Sequence, residues 1–524
     1  MDVNSAWLDT CRVVLGGEVG GLDSFEPYLL KNIEPMAQKK SGISGQPLWI
    51  GTDYFPSDAV FIGHDEAEAF GKKTSEARLD LNQIKDIDSI ASAVREKVAY
   101  TGNILLGKSE HVEQSHRSTN AFFVKRSLEV SDSKYVAYSS LHRFCENIFG
   151  CRYTGDAKFG IRGTQFYRSL RCFEVILTMN CSDCYYTANM EGCENCMFSF
   201  NQKSKRHMIG NIPLPKDKYL SLKASLQAQM REELQSKKEI MGVADILSFG
   251  KAPVGSAPGK TNLQFPKKPP QPEVERSFGD TTAVLFGKRL ANLNAYGDWL
   301  FEHVRKPQAA KSAKSQKEVL VTPLLAYLCW KNAMLTHEEA WAHGKLALSE
   351  KDTDKLSIKN AAETLKDMSL STSELRMGVN ESVEESVNYY DSNECFSGSG
   401  YYITKRSGYC FFAREDEHVF GCDTILYSKF CLKCHHSYNL TRCFEVSDSL
   451  SCSDCFFCHN VENCTECMFC FNVKSKRYAI GNVEYLKEEY LKIKKLVLAE
   501  IANKLEKEKK LDLNIYNVGC AAKN

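Results

Sequence analysis

The sequence predicts a mixed α+β protein built as a tandem duplication. Each half is expected to hold a mixed N-terminal region, then a β-solenoid with coils of about twelve residues, then a capping amphipathic helix. Three observations predict this fold: a long internal self-match, cysteines at a fixed spacing, and a charged helix-forming run after each cysteine-rich segment.

The self-match carries short segments of the first half onto the second half at one constant displacement along the chain. Arg171–Val175 recurs as Arg442–Val446, and Cys181–Cys184 recurs as Cys452–Cys455. No gap is needed between these matches, and a fainter match in the same register extends toward the N-terminus. The pattern therefore predicts that one unit of about 270 residues is present twice.

The cysteines of the second half repeat every twelve residues. This period fits neither an α-helix nor a flat hairpin, but it suits the coil of a narrow β-solenoid, whose coils stack about 4.8 Å apart. Cysteine behaves as a small hydrophobe, so the columns are predicted to fill the interior. The columns are Cys431, Cys443, Cys455 and Cys467, and Cys410, Cys422, Cys434, Cys458 and Cys470.

An apolar row follows the cysteines at the same period. A residue next to an inward cysteine on a strand should point outward, so this row is predicted to form a sticky outer face. Its members are Phe149, Ile161, Phe173, Tyr185, Met197 and Ile209 in the first half, and Phe420, Leu432, Phe444, Phe456, Met468 and Ile480 in the second.

Helix-favouring charged runs with apolar residues at spacings of three and four predict the two capping helices, at 216–245 and 483–510. A segment rich in Pro, Gly and Lys at 246–280 is predicted to be a linker. The other predicted regions are a mixed region at 1–115, a β-solenoid at 116–215, a second mixed region at 281–380, a second β-solenoid at 381–482 and a tail at 511–524.

The segment from Cys452 to Asn460, continued through Cys464–Asn472 to Glu488, Glu489 and Tyr490, resembles a group of uncharacterised cysteine-rich repeat proteins. These proteins occur in candidate-phylum bacteria and some archaea, and they combine repeated C-x-x-C units with an Asn-rich and Glu-Glu-Tyr tail. The resemblance covers about 380–495 and, less well, 140–220. It implies a repeat architecture and metal binding, and it implies no catalytic activity.

The most specific chemical signal is a pair of C-x-x-C motifs separated by eight residues, which occurs once in each half. Four thiolates in this arrangement suit tetrahedral zinc. Two other interpretations stay open: a thiol-filled core, and cross-coil disulfides such as Cys452 to Cys458. The candidate zinc ligands are Cys181, Cys184, Cys193 and Cys196, and Cys452, Cys455, Cys464 and Cys467.

The basic clusters Lys203–Arg206 and Lys474–Arg477 lie near Phe200 and Phe471, which raises a nucleic-acid hypothesis beside the simpler one of a solvated turn. The formal net charge is only +1, so the overall balance does not suggest a polyanion-coating protein. No secretory signal or apolar span is recognisable, which predicts a cytoplasmic, reducing location and no membrane contact.

These observations favour a structural or assembly protein that uses a duplicated cysteine-rich β-solenoid as a rigid interaction surface, for example in a larger particle. Protein partners or self-association are expected. The alternative is a zinc-binding module that binds nucleic acid or a regulatory protein. An enzyme ranks third, because no nucleophile, base and orienting group converge in the sequence.

Overall fold

The computed structural model describes residues 2–249, 268–325 and 334–521. The protein is mixed α+β with two large sheets of parallel strands, which confirms the predicted fold class at this level. The chain folds as two compact units made of non-contiguous segments. Unit 1 holds Met1–Pro35, Lys108–Leu263 and Gln308–Leu375, and unit 2 holds Met36–Gly107, Gln264–Pro307 and Arg376–Asn524.

The helices precede and follow the two large sheets. In chain order they are α1 (Val3–Leu15), α2 (Glu26–Leu30), α3 (His64–Glu76), α4 (Ile87–Ala93), α5 (Lys216–Lys237), α6 (Val243–Phe249), α7 (Pro272–Phe286), α8 (Gly297–Leu300), α9 (His337–His343), α10 (Glu350–Asp354), α11 (Ala361–Leu365) and α12 (Lys487–Glu508). Short 3-10 helices cover Leu22–Phe25, Leu81–Gln83, Arg95–Lys97 and Leu293–Tyr296. No helix within the described ranges is long and apolar enough to span a membrane.

The strands of the first half are mostly four residues long. They are β1 (Ala37–Lys40), β2 (Pro47–Ile50), β3 (Phe61–Gly63), β4 (Tyr100–Gly102), β5 (Leu105–Leu106), β6 (Glu110–Glu113), β7 (His116–Thr119), β8 (Phe122–Lys125), β9 (Leu128–Ser131), β10 (Lys134–Ala137), β11 (Ser140–Arg143), β12 (Glu146–Phe149), β13 (Arg152–Gly155), β14 (Lys158–Ile161), β15 (Thr164–Tyr167), β16 (Leu170–Met179), β17 (Ser182–Glu191), β18 (Glu194–Met197), β19 (Phe200–Lys203), β20 (Arg206–Ile209) and β21 (Ile212–Pro213).

The second half repeats this arrangement of short strands. They are β22 (Gln308–Lys311), β23 (Glu318–Val321), β24 (Arg376–Met377), β25 (Glu381–Tyr390), β26 (Asn393–Tyr402), β27 (Lys405–Gly408), β28 (Phe411–Arg414), β29 (Glu417–Phe420), β30 (Asp423–Leu426), β31 (Lys429–Leu432), β32 (His435–Thr441), β33 (Phe444–Ser447), β34 (Leu450–His459), β35 (Thr465–Met468), β36 (Arg477–Ile480) and β37 (Val483–Glu484). We call β6–β20 stack 1 and β24–β36 stack 2.

Both stacks keep one register, in which a residue pairs in parallel with the residue twelve positions later. In stack 1, Cys184 pairs with Cys196, and in stack 2, Cys455 pairs with Cys467. Each turn of twelve residues therefore places chemically similar side chains directly above one another. The cysteine columns seen in the sequence follow from this register.

The backbone turns a corner at every third residue of each stack. Phe457, Asn460, Asn463 and Glu466 all have left-handed φ values between 50° and 54°, and the same pattern runs through both stacks. The residue after each corner, such as Cys458 or Val461, belongs to the buried core. Each repeat of twelve residues thus contains four such corners.

Each unit closes the end of its stack with a segment that belongs, in sequence, to the other half. In unit 1, Leu348 donates its N–H to the carbonyl oxygen of Gly210 at 2.9 Å. Asn201 donates its amide to Leu370 O at 2.8 Å, and in unit 2 Asn472 donates to Ala99 O at 2.8 Å. Asn201 and Asn472 are equivalent positions of the internal self-match, and so are Ala99 and Leu370. A segment of the second half therefore closes stack 1, and the equivalent segment of the first half closes stack 2.

Helix α5 runs along the side of stack 1, and its counterpart α12 takes the same course on stack 2. Lys223 of α5 lies over the Tyr185 ring at 5.0 Å, and Lys494 of α12 lies over the Phe456 ring at 5.1 Å. The ends of the predicted linker 246–280 belong to α6 and α7, and its central part, 250–267, lies outside the described residues.

The predicted sticky outer face is wrong, because the protein's own helices bury the apolar row. Phe149 packs against Trp7 of α1 at 5.3 Å between ring centroids, and Phe420 packs against Phe278 of α7 at 5.4 Å. Both phenylalanines are fully buried. The row points out of the coil as expected, but it forms the interface between each stack and its helix.

Candidate functional site

The eight predicted zinc ligands line the interiors of the two stacks. Cys193 donates its backbone N–H to the sulfur of Cys181 on the previous coil at 3.2 Å, and Cys184 pairs directly with Cys196. All eight residues are buried free thiols. The structure therefore brings each predicted set together, inside the coil and away from the surface.

The thiols of both sets donate to backbone carbonyl groups. Cys452 Sγ lies 3.4 Å from Leu450 O and 3.5 Å from Val461 O, and Cys193 Sγ lies 3.4 Å from Glu191 O and 3.5 Å from Gln202 O. A sulfur that donates to a carbonyl oxygen must be protonated. This geometry is that of packed thiols, whereas a zinc ligand must be a thiolate.

Burial raises the pKa of Cys145 and of Cys172, which lie outside the candidate zinc sets, to about 12. Within the sets the direction is mixed, because hydrogen bonds from neighbouring thiols lower the pKa of Cys193 to about 3 and of Cys464 to about 4. Within the described residues no group of three or more His, Cys, Asp or Glu side chains is arranged to hold a metal ion. Zinc therefore stays a prediction from the motif spacing, for elemental analysis to decide.

The predicted cross-coil disulfides do not form among the described cysteines, which are all free. The histidines near the cysteine columns have other partners. His459 accepts the backbone N–H of Thr101 at 3.0 Å through Nε2, and its Nδ1 lies 2.8 Å from Ser447 Oγ. It joins stack 2 to the segment that closes the stack.

The two basic clusters lie at the surface, but the neighbouring aromatic rings do not. Phe200 and Phe471 are fully buried, so neither ring is available to stack on a nucleic-acid base. Lys203 pairs with Glu191 at 2.8 Å, and Lys474 pairs with Glu462 at 2.6 Å. These ion pairs offset much of the positive charge that the nucleic-acid hypothesis needs.

A row of alternating charges runs along an exposed side of each stack. Glu146 bridges Lys134 and Lys158 on the adjacent coils at 3.0 Å each. These contacts lower the pKa of Glu146 against the opposing effect of partial burial. The same residue types recur at the equivalent positions of stack 2. We call this set the charged ladder: Lys134, Glu146 and Lys158, and Lys405, Glu417 and Lys429.

Sequence reasoning missed that the backbone turns a corner at every third residue, although the two cysteines of each C-x-x-C motif are also three residues apart. It also missed columns of serines that point into the interior. Ser127 donates its N–H to Ser115 Oγ at 2.9 Å, and Ser139 donates its N–H to Ser127 Oγ at 3.2 Å. Cys151, the next residue of this column, accepts the Gly163 N–H through its sulfur at 3.2 Å. Serine and cysteine thus occupy equivalent inward positions.

Comparison with protein-family models, with curated proteins and with solved structures finds no match to this chain. The resemblance to cysteine-rich repeat proteins stays a prediction, and the functional argument depends on the geometry alone.

Proposed function

We propose that the protein is a structural repeat protein made of two duplicated β-solenoids, and that the charged ladder is the face through which it binds protein, first of all another copy of itself. The single observation that carries this proposal is the recurrence of the ladder, with the same residue types on the same coils, on both stacks. The proposal rests on the duplication and solenoid architecture predicted from the sequence.

The register of the ladder supports self-association. Lys134 pairs with Glu146, and Glu146 pairs with Lys158, on successive coils. Coils lie about 4.8 Å apart, so a second ladder displaced by one coil places one lysine of each ladder opposite the glutamate of the other. The apolar row is buried, whereas the lysines of the ladder are exposed on both stacks.

The test is sedimentation velocity of the full chain over a range of protein and salt concentrations. We expect reversible association that weakens as salt rises, because exposed charges are screened. Replacing Lys134, Lys158, Lys405 and Lys429 by glutamate should abolish association.

The matched control replaces Lys203 and Lys474 by glutamate. These exposed lysines lie outside the ladder, with side chains 61% exposed. The control variant should associate like the unmodified protein. A chain that remains monomeric at low salt, or two variants with equal effects, would contradict the proposal.

A further inference from the structure

Unit 2 contains a cleft of about 630 Å³ that neither the cysteine columns nor the charged ladder explains. It lies between α4, the C-terminal end of α12 and the segment that follows α12, with Glu302 and His303 on its wall. This volume is in the range of small-molecule sites, which typically combine an apolar lining with a few polar groups.

A buried lysine–glutamate pair in stack 2 adjoins this wall. Lys433 is fully buried and donates to Trp299 O and to Glu302 Oε2, each at 2.9 Å. Its ammonium lies 3.9 Å from Glu445 Oε1, too far for a hydrogen bond. Glu445 Oε2 accepts the Ile515 N–H at 2.8 Å, while Oε1 has no hydrogen-bond partner among the described residues.

In the equivalent pair of unit 1, both carboxylate oxygens have hydrogen-bond partners. Arg162 Nε donates to Glu174 Oε1 at 2.9 Å, and the Tyr28 hydroxyl donates to the same oxygen at 3.0 Å. Glu174 Oε2 accepts the Val243 N–H at 3.0 Å. Both oxygens of Glu174 thus accept hydrogen bonds in unit 1. In unit 2, Oε1 of Glu445 accepts none from the described residues, and the ammonium group of Lys433 bonds to Glu302 instead.

His303 is the second independent sign of a ligand site. Its residue surface is only 7% exposed, it lies on the wall of the cleft, and Nδ1 has no hydrogen-bond partner among the described residues. Burial, with the nearby Lys433 charge, lowers the pKa of His303 to about 3. The imidazole is therefore neutral at physiological pH and can accept a hydrogen bond.

Four carboxylates and two basic side chains lie on the wall, and three of the carboxylates already pair with lysines: Asp88 with Lys504, Glu302 with Lys433 and Asp512 with Lys510. Glu508 is the fourth carboxylate, and the C-terminal end of α12 beside it adds the partial negative charge of its last carbonyl groups, which favours a cation at this end of the cleft. The carboxylates are Asp88, Glu302, Glu508 and Asp512, and the basic side chains are Arg95 and Lys504.

We propose that this cleft of unit 2 binds a small aliphatic amine, with the ammonium group held by the carboxylates and His303. Apolar side chains such as Ile87 and Leu511 contact the hydrocarbon part of the ligand. This inference is independent of the charged ladder, which lies on other residues.

Calorimetric titration of the full chain with 1,5-diaminopentane tests the proposal. Two matched probes, 1,5-pentanediol and glutarate, have similar length but neutral or negative ends. We expect measurable binding of the diamine at millimolar concentration, and at least about tenfold weaker binding of both other probes. Absence of diamine binding, or equal binding of the diol, overturns the proposal.

Two variants on one helix localise the effect. Glu508→Gln removes a carboxylate from the wall of the cleft, whereas Glu506→Gln removes one that pairs with Lys288 away from it. Both glutamates are exposed, so both variants should fold. We expect diamine affinity to fall about three- to tenfold in Glu508→Gln and to stay unchanged in Glu506→Gln. Equal effects in the two variants overturn the assignment to this cleft.

Discussion

One coil of stack 1 and the equivalent coil of stack 2 fill the same narrow interior in different ways. Stack 1 has Gly160, Gly163 and Phe166 at inward positions, and stack 2 has two cysteines and a serine at the matching positions of the self-match. A Cβ added at Gly163 would lie 2.3 Å from the Phe166 ring, and one added at Gly160 would lie 2.7 Å from it.

This difference shows what the interior requires. In stack 1 the ring of Phe166 fills the space that two glycines leave open, and in stack 2 the side chains of Cys431, Cys434 and Ser437 fill the equivalent space. The interior therefore requires a certain side-chain volume and does not require sulfur. The serine columns, which use the same backbone partners as the thiols, support the same interpretation. Cysteine is abundant in stack 2 because its small apolar side chain fits between coils.

The largest effect is expected when the ring of stack 1 is removed. Phe166→Ser should lower the free energy of unfolding by about 3–5 kcal/mol, since it leaves a cavity beside two glycines. The triple variant Gly160→Cys, Gly163→Cys and Phe166→Ser copies stack 2 and should recover most of this loss. Urea denaturation measures the free energy of unfolding of both variants. A triple variant that is no more stable than Phe166→Ser would show that the two stacks do not fill their interiors in interchangeable ways.

The two buried pairs, Arg162 with Glu174 and Lys433 with Glu445, should also respond differently to loss of the carboxyl group. Glu174→Gln leaves the Arg162 charge buried without its carboxylate, which should cost about 3–5 kcal/mol of stability. Glu445→Gln should cost less than about 1 kcal/mol, because Lys433 keeps Glu302 and Trp299 O as partners. Equal losses in urea denaturation would show that the pairs are equivalent after all.

Overfilling the glycine position should have a smaller effect. Gly163→Cys introduces the stack 2 residue without removing the ring, and overpacking of this kind should cost about 1–3 kcal/mol. The matched change Cys434→Gly should also destabilise, because it opens a cavity where no ring fills the space. Thermal unfolding of the two variants measures these effects, and a stabilised Gly163→Cys variant would mean that the coil has spare room.

A pH dependence of the free energy of unfolding is also expected, and it belongs to unit 2. Burial raises the pKa of Glu445 from 4.5 to about 8, even though Lys433 opposes the shift. The folded state therefore retains a proton that the unfolded chain has lost, and stability should fall as pH rises between these values, by at most about 1.4 kcal/mol per pH unit.

Glu445→Gln isolates this contribution, since the neighbouring charges of Lys433 and Glu302 stay in place. Urea denaturation from about pH 5 to about pH 9 should show a flatter profile in the variant than in the unmodified protein. Parallel profiles would assign the pH dependence to other groups.

The sequence predicted the features that repeat locally. The spacing of Cys431, Cys443, Cys455 and Cys467 is the strand register of stack 2, and the inward position of these thiols follows from it. The mixed α+β class and the helical runs after each stack were also recognisable from residue patterns. These features depend on neighbours within a few coils.

The sequence could not predict features that depend on distant segments. The apolar row was expected to be exposed, because nothing near Phe149 reveals that α1 returns to cover it. The exchange of closing segments was hidden for a related reason: Ala99 and Leu370 are equivalent positions, so local patterns cannot show which stack each one closes. The cleft beside His303 likewise joins three separate parts of the chain.

The most direct test of the central claim is elemental analysis of protein purified under reducing conditions without chelator, combined with a thiol titration. If the cysteine columns are packing, the protein should carry no zinc, and all 22 thiols should titrate after unfolding. About two zinc ions per chain, lost in Cys181→Ser or Cys452→Ser but retained in Cys145→Ser, would contradict this account and make the C-x-x-C sets metal sites.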